Sequence, residues 1–286
     1  MKNKKLDCVV CLQNSLIEVA DLKTQPLANN LIRKKTQKYE SFPLGLNFCI
    51  NCTHLQLTFF VNPSKLFNDY FYASGTSITL KNYFNWFASE LEIYNQKYKN
   101  KSSRVLEIGS NDGSLLDELK NKKFNVTGID PARNLCKIAQ QKHNKIINDY
   151  YPSKLINSKY DYIIAQNVFA HNPNPKVFLQ SILNNLTDEG LAFIQTSQAM
   201  MFEENQFDTI YHEHYSFFSY TSMLKLVSSV GGFLNRVFLI EIHGGSFLFV
   251  ISKVKKPKLS IFNDKKYNIK SISKCKRAIL SDNVDF

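Results

Sequence analysis

A chain of 286 residues, 44% hydrophobic and 21% charged, has room for one large domain and a small one, with the composition of an ordinary globular protein. No apolar run approaches the ~20 residues that span a bilayer. Met1-Lys2-Asn3-Lys4-Lys5 is basic without the apolar run of a secretion signal, so membrane insertion is not expected and a cytoplasmic location is. The formal charge of +12 is scattered, with lysine clusters at both ends, which reads as a solvated basic surface compatible with a phosphate-bearing substrate.

Four of the six cysteines form two knuckles, Cys8-x-x-Cys11 and Cys49-x-x-Cys52. Without a secretion signal, disulfides are not the expectation. Each CxxC places two thiolates on one side of a tight turn, and the two pairs complete a tetrahedral sulfur site, the closed geometry of structural zinc. A small subdomain must then be packed between the knuckles. A redox CxxC would have to occur twice. Cys136 and Cys275 stand alone and read as core or surface thiols.

After the second knuckle, 55–60 reads as a strand packing the zinc unit against its neighbour. The aromatic run 66–77, which includes Tyr70 and Tyr72, reads as core or as the wall of a cleft between domains. An amphipathic helix follows over 81–97, with Tyr83, Phe84, Phe87, Leu91 and Tyr94 on its apolar face.

From about residue 102 strands and helices alternate. Strands are expected over 104–109, 125–130, 145–148, 160–166 and 190–195, then a pair over 236–242 and 246–252. Helices are expected over 114–120, 134–142, 175–186 and 222–230. This alternation predicts a mainly parallel sheet covered on both faces. A hairpin turning at His243-Gly244-Gly245 makes the last strand antiparallel, an edge more characteristic of methyltransferases than of nicotinamide dehydrogenases.

The first strand runs into Glu107-Ile108-Gly109-Ser110-Asn111-Asp112-Gly113, and the second ends on Gly128-Ile129-Asp130-Pro131. The turn lacks the G-x-G-x-x-G spacing that seats a pyrophosphate. It suits a ligand with an amino-acid tail, glycine amides meeting its carboxylate and nearby acids its ammonium, and Asp130 can accept both ribose hydroxyls. S-adenosylmethionine is such a ligand. The expected cofactor set is Glu107, Gly109, Asn111, Asp112, Gly113, Asp130 and Pro131, with Gln166 and Asn167 ending the fourth strand at the carboxyl edge of the sheet.

The densest group of titratable residues is Asp208-Thr209-Ile210-Tyr211-His212-Glu213-His214. It is not a zinc-protease helix, because Ser216 stands where His-Glu-x-x-His needs its second histidine. Three readings remain open: a metal-binding His-x-His pair, a polar loop whose histidines cap backbone, and general acid–base chemistry. In the last, an imidazole takes a proton from a carbon acid, Glu213 orients or tunes it, and Tyr211 donates to an oxyanion.

Residues 105–116, 128–132, 167–171, 207–219 and 243–246, in this order and spacing, resemble the nucleotide-sugar C-methyltransferases, which also carry a four-cysteine zinc domain matching Cys8, Cys11, Cys49 and Cys52. The resemblance extends to about Ser252 and is most specific at Asp-Thr-Ile-Tyr-His-Glu-His. It implies methyl transfer from S-adenosylmethionine to a carbon beside the ketone of a nucleotide-linked 4-keto-deoxysugar. It also implies His214 as the base, Tyr211 and Glu213 as companions, and a further contribution from Tyr70 or Tyr72. The expected fold is a class I, Rossmann-like S-adenosylmethionine methyltransferase behind a small zinc-binding domain. The expected divisions are a zinc domain (1–65), a helical connector (66–101), the methyltransferase domain (102–252) and a short basic tail (253–286) where the family continues into a further domain. The expected partner is a nucleotide sugar, with neither nucleic acid nor membrane, and the chain is expected to be a monomer or dimer. The competing readings are an RNA or protein methyltransferase and an inactive zinc-containing scaffold.

Overall fold

The computed structural model describes residues 6–256 apart from 33, 35, 100–101, 197–200 and 202–204, together with 261 and 270–271. Most of the basic tail expected over 253–286, with Cys275, and the lysines of Met1-Lys2-Asn3-Lys4-Lys5 lie outside the described residues.

The chain opens with β1 (Leu16–Pro26), β2 (Ser41–Cys49) and β3 (Leu55–Leu57), then α1 (Pro63–Phe67) and the long α2 (Ile78–Tyr98). An alternating series follows: β4 (Arg104–Ile108), α3 (Ser114–Asn121), β5 (Asn125–Asp130), α4 (Arg133–Ala139), β6 (Ile146–Asn148), β7 (Tyr160–Gln166), α5 (Pro175–Asn185) and β8 (Leu186–Thr196). Then come β9 (Ser216–Phe217), α6 (Tyr220–Ser229), β10 (Phe233–Ile240), β11 (Ser246–Ser252) and β12 (Lys270–Ser271).

Two sheets result. The larger has the order β12-β10-β11-β8-β7-β4-β5-β6. β4, β5, β6, β7 and β8 pair in parallel, while β11 is antiparallel to β8 and to β10. The expected antiparallel closing strand is therefore present, inserted between β8 and β10. Its hairpin turns on three consecutive positive φ angles, His243 at 51°, Gly244 at 73° and Gly245 at 105°, a path that suits glycine.

Both faces of this sheet are buried, as a parallel sheet requires. Val105, Tyr162, Ile164, Phe193, Leu248 and Val250 meet the aromatic face of α2, where Phe87 stands edge-on to Phe193 at 5.5 Å. Leu106, Ile108, Ile163 and Ala165 point the other way, into a cluster with Phe178, Ile182, Leu226 and Phe249. The two-residue alternation along each strand produces that division. Helix α2 is capped by Ser77, whose hydroxyl accepts from the Leu80 amide, and so starts three residues before the position expected from its apolar spacing.

The smaller sheet, β1-β2-β3-β9, is antiparallel throughout. Its last member comes from far along the chain: Leu55 pairs with Phe217 and Gln56 with Ser216. The strand expected over 55–60 ends at Leu57 because the chain bends at Thr58–Phe59 towards α1.

Candidate active site and metal centre

Cys8, Cys49 and Cys52 are buried and Cys11 is half-buried, and the four Sγ atoms lie within 4.8 Å of one another. The Cys8–Cys52 and Cys11–Cys49 separations are 3.5 and 3.6 Å. A tetrahedral zinc with bonds of about 2.3 Å has sulfur–sulfur edges of about 3.8 Å, so the four side chains fit the ion. The Cys52 thiol beside Cys8 holds Cys8 down to about 5, and the same contact pushes Cys52 up; a divalent cation lets all four ionise together. All four positions are filled by sulfur, so the centre is structural.

The carboxyl ends of β4, β5 and β7 open into a cleft of about 590 Å³, the size of a small-molecule site. Gly109, Asn111, Asp130, Pro131, Gln166 and Asn167 line it, and so do Tyr70, Tyr72, Tyr211 and His214. Residues separated by more than a hundred positions in sequence thus share one space.

The cofactor end is built around Gly109, whose φ is +72°. A Cβ there would lie 3.0 Å from Val168, so glycine keeps the turn close to the β7 end. Asp130 accepts from the amides of Asn111 and Ala132 at 2.9 and 2.8 Å, one per carboxylate oxygen, leaving a lone pair on each. Both side-chain polar atoms of Gln166 are buried without a partner among the described residues, as is Oε2 of Glu107. Burial raises the pKa of Glu107 and of Asp130. Buried acids and unpaired donors and acceptors at a glycine turn call for a cationic, polar ligand. S-adenosylmethionine, with its sulfonium and ammonium, fits that donor set.

Three members of the expected cofactor set stand back from the cleft. Glu107 is buried within β4. Asp112 is engaged by the Ser114 hydroxyl at 2.7 Å and the Gly75 amide at 2.8 Å, and Gly113 forms the left-handed start of α3. The Asn111 side chain is also occupied, donating to the Tyr72 carbonyl and accepting from the Ser74 amide, each at 2.9 Å. These residues pin a strap, 68–76, across the cofactor turn. Its other side is fixed by reciprocal bonds between Tyr70 and Asn134 and by Arg133 with Asp69.

At the acceptor end, Nδ1 of His214 lies 2.7 Å from the Thr209 carbonyl. A carbonyl only accepts, so Nδ1 carries the proton and Nε2 presents its lone pair. Nε2 is 3.2 Å from the Tyr211 hydroxyl. Burial pulls His214 down to about 4, which keeps it neutral at pH 7, and pushes Tyr211 up, which keeps the phenol protonated. The hydrogen bonds of Glu213 go to Tyr70 and Asn29 rather than to His214. Glu213 sits in a turn closed by the His214 amide on the Tyr211 carbonyl at 3.0 Å, and its carboxylate leaves that turn towards Tyr70 and Asn29. Tyr70 therefore sits at the acceptor end and the half-exposed Tyr72 beside the cofactor turn.

His212 does not join His214 on a metal, since its Nε2 is bonded to the Phe42 carbonyl at 3.2 Å. Among the described residues the metal-type cluster is the four cysteines. The whole stretch 212–217 is fastened to the amino-terminal domain. Besides the β3–β9 pairing, Ser216 meets the buried His54 at 3.2 Å and the Tyr215 hydroxyl donates to the Val61 carbonyl at 2.6 Å.

Sequence reasoning missed several lining residues. His171 has its ring 5.1 Å from that of His214. Asp149 and Tyr150 follow β6 at the carboxyl edge, where the rule for open α/β sheets locates ligands. Asn29 carries no motif at all.

A family model described as "Methyltransferase domain" matches residues 86–231, and one described as "Putative zinc binding domain" matches residues 8–67. The first takes in half of the chain, and the chain belongs to that methyltransferase-domain family, with a class I S-adenosylmethionine methyltransferase fold. Among individual proteins, C-methyltransferase NovU of Streptomyces niveus is 27% identical over 252 residues, 85% of this chain and 59% of that protein. Ubiquinone biosynthesis O-methyltransferase of Glaesserella parasuis is 33% identical over 105 residues, 32% of this chain and 44% of that protein. The chain thus spans less than two thirds of the length of either. The solved plantazolicin methyltransferase BpumL, in complex with SAH, superimposes with a TM-score of 0.50 at 15% identity, covering 61% of this chain and 85% of that one, a likeness of fold.

Proposed function

We propose that the chain is an S-adenosylmethionine-dependent C-methyltransferase whose acceptor is a carbon beside the ketone of a nucleotide-linked 4-keto-deoxysugar. The reading rests on one observation above others: a neutral, buried His214, whose Nε2 lone pair accepts from the Tyr211 hydroxyl at 3.2 Å, shares a cleft with Gly109, Asp130 and Gln166. Transfer to oxygen or nitrogen can proceed from a lone pair already on the acceptor. Transfer to carbon needs a base to create the nucleophile, and a tautomer-fixed imidazole is such a base. The likeness to NovU and the tyrosine–histidine pair support the same reading.

S-adenosylmethionine, when bound, supplies an electrophilic methyl group. Asp130 and the Gly109 turn hold its nucleoside and amino-acid parts, with Gln166 and Asn167 at the strand end. His214 Nε2 removes the proton from the carbon beside the ketone, and its Nδ1 bond to Thr209 stabilises the imidazolium that forms. As Nε2 takes up the substrate proton, the Tyr211 hydroxyl turns its own proton from Nε2 to the enolate oxygen. The zinc centre takes no part in proton or methyl movement.

The test is incubation with S-adenosylmethionine and a panel of 4-keto-sugar nucleotides in deuterated buffer, followed by mass spectrometry. A product heavier by one methyl, and loss of both methylation and solvent exchange at the acceptor carbon in His214→Gln, are expected. Unchanged transfer in His214→Gln would rule out the proposed base.

A further inference from the structure

We propose that Asn29, a residue of the amino-terminal domain, is a positioning residue for the acceptor site: its amide holds the Glu213 carboxylate so that Tyr70 spends its proton on Glu213 and offers oxygen lone pairs to the ligand. The acceptor is then a molecule that brings a donor, a hydroxyl or amino group, to Tyr70 beside its reacting carbon. This statement about the acceptor rests on the proposed function; the statement about Asn29 does not.

Asn29 lies between β1 and β2, two residues beyond the buried Leu27, in a turn closed by the Asn30 amide on the Leu27 carbonyl at 3.2 Å. Its Nδ2 is 2.6 Å from Glu213 Oε1, and the Tyr70 hydroxyl is 2.8 Å from Oε2. Glu213 is only 2% exposed, while Asn29 and Tyr70 both line the cleft. An ionised carboxylate only accepts, so both partners donate to it, one to each oxygen. Tyr70 has a single proton, and that proton is committed.

The arrangement has a definite failure mode. Burial pushes Glu213 up, and the bonds from Asn29 and Tyr70 oppose that rise. Burial, with the Glu213 charge, keeps Tyr211 and Tyr215 protonated, and burial shifts the flanking His212 and His214 towards their neutral forms, so neither flanking imidazole supplies a cation in place of the Asn29 amide. Without it Glu213 takes up a proton more readily. The acid then becomes a donor to the Tyr70 oxygen, Tyr70 turns its own proton into the cleft, and the polarity presented to the ligand reverses.

The experiment follows the Glu213 carboxyl by carbon NMR in full-length protein labelled at glutamate side chains, with Glu213→Gln identifying its signal. Asn29→Ala is expected to raise the titration midpoint of Glu213 by about one to two pH units, the size of one lost hydrogen bond to a charged group. Asn29→Asp, which sets a second carboxylate against the first, should raise it further. An unchanged midpoint in both variants overturns the proposal, whatever the substrate proves to be. With a methylated keto-sugar in hand, the acid limb of kcat/KM should move up in pH by the same interval in Asn29→Ala. The exchange Asn29→Asp with Glu213→Gln, which restores one donor and one acceptor across the contact, should recover at least tenfold of the rate lost in Asn29→Asp alone. A double variant no better than Asn29→Asp, or a loss of thermal stability with an unmoved acid limb, would reduce Asn29 to a structural contact.

Discussion

Removing zinc should separate two properties that share one cleft. The knuckles bracket β1 and β2 and lead directly into β3, against which β9 and the 212–217 stretch are built. Structural zinc sites supply about 10–16 kcal/mol, as much as the whole stability of a domain, about 5–15 kcal/mol. A chelated protein, or Cys52→Ser, therefore loses the platform that aims His214 and Tyr211, and with it the proposed general-base catalysis, worth at least about a hundredfold. The cofactor end is held differently. Asp130 is fixed by the amides of Asn111 and Ala132, and the turn stands on the β4 and β5 strands, inside the large sheet. Affinity for S-adenosylhomocysteine, measured by calorimetry, should stay within roughly threefold of the zinc-loaded value, under about 1 kcal/mol, while methyl transfer falls at least a hundredfold. Full transfer activity after chelation would refute the reasoning, as would cofactor affinity falling in step with the rate.

Other substitutions read other parts of the site. Asp130→Asn turns one carboxylate oxygen into a donor facing a backbone amide, so calorimetry should show affinity for S-adenosylhomocysteine falling by about tenfold or more. Gly75→Ala places a Cβ 2.6 Å from Ser114 Oγ and 2.7 Å from Asp112 Oδ2; displacing the strap should cost about 1–3 kcal/mol in denaturant unfolding. His214 titrates near 4 when folded and near 6.5 when unfolded, so the folded chain binds fewer protons between those values. Stability is full above about pH 6.5 and declines as the pH falls towards 4, by up to about 3 kcal/mol from this group. Chemical unfolding of His214→Gln across that window should show a correspondingly shallower pH slope.

What the sequence made legible follows from burial and spacing. The central strands, buried on both faces, stand out as apolar runs such as Val105–Ile108 and 160–166, and the cysteines and the glycine turn declare themselves by interval. β1 does not, because most of its side chains face solvent and its pattern lacks alternation. β9 is two residues long and exists only because β3 offers it an edge. The division of labour in the site was hidden for a related reason. Asp112 and Asn111 belong to the glycine turn by sequence, yet their side chains fasten the strap. Glu213 stands next to His214 in sequence and serves Tyr70 in space. Asn29 lies 184 positions from its partner, a separation that no local pattern encodes.

The most direct test of the central claim is NMR of the product formed from S-adenosylmethionine labelled with carbon-13 in its methyl group, with a 4-keto-sugar nucleotide as acceptor. The account predicts the label on a carbon beside the ketone, coupled to the ring carbon that bears it. A label found on oxygen, or no labelled product across the acceptor panel from protein that binds S-adenosylhomocysteine, would contradict it.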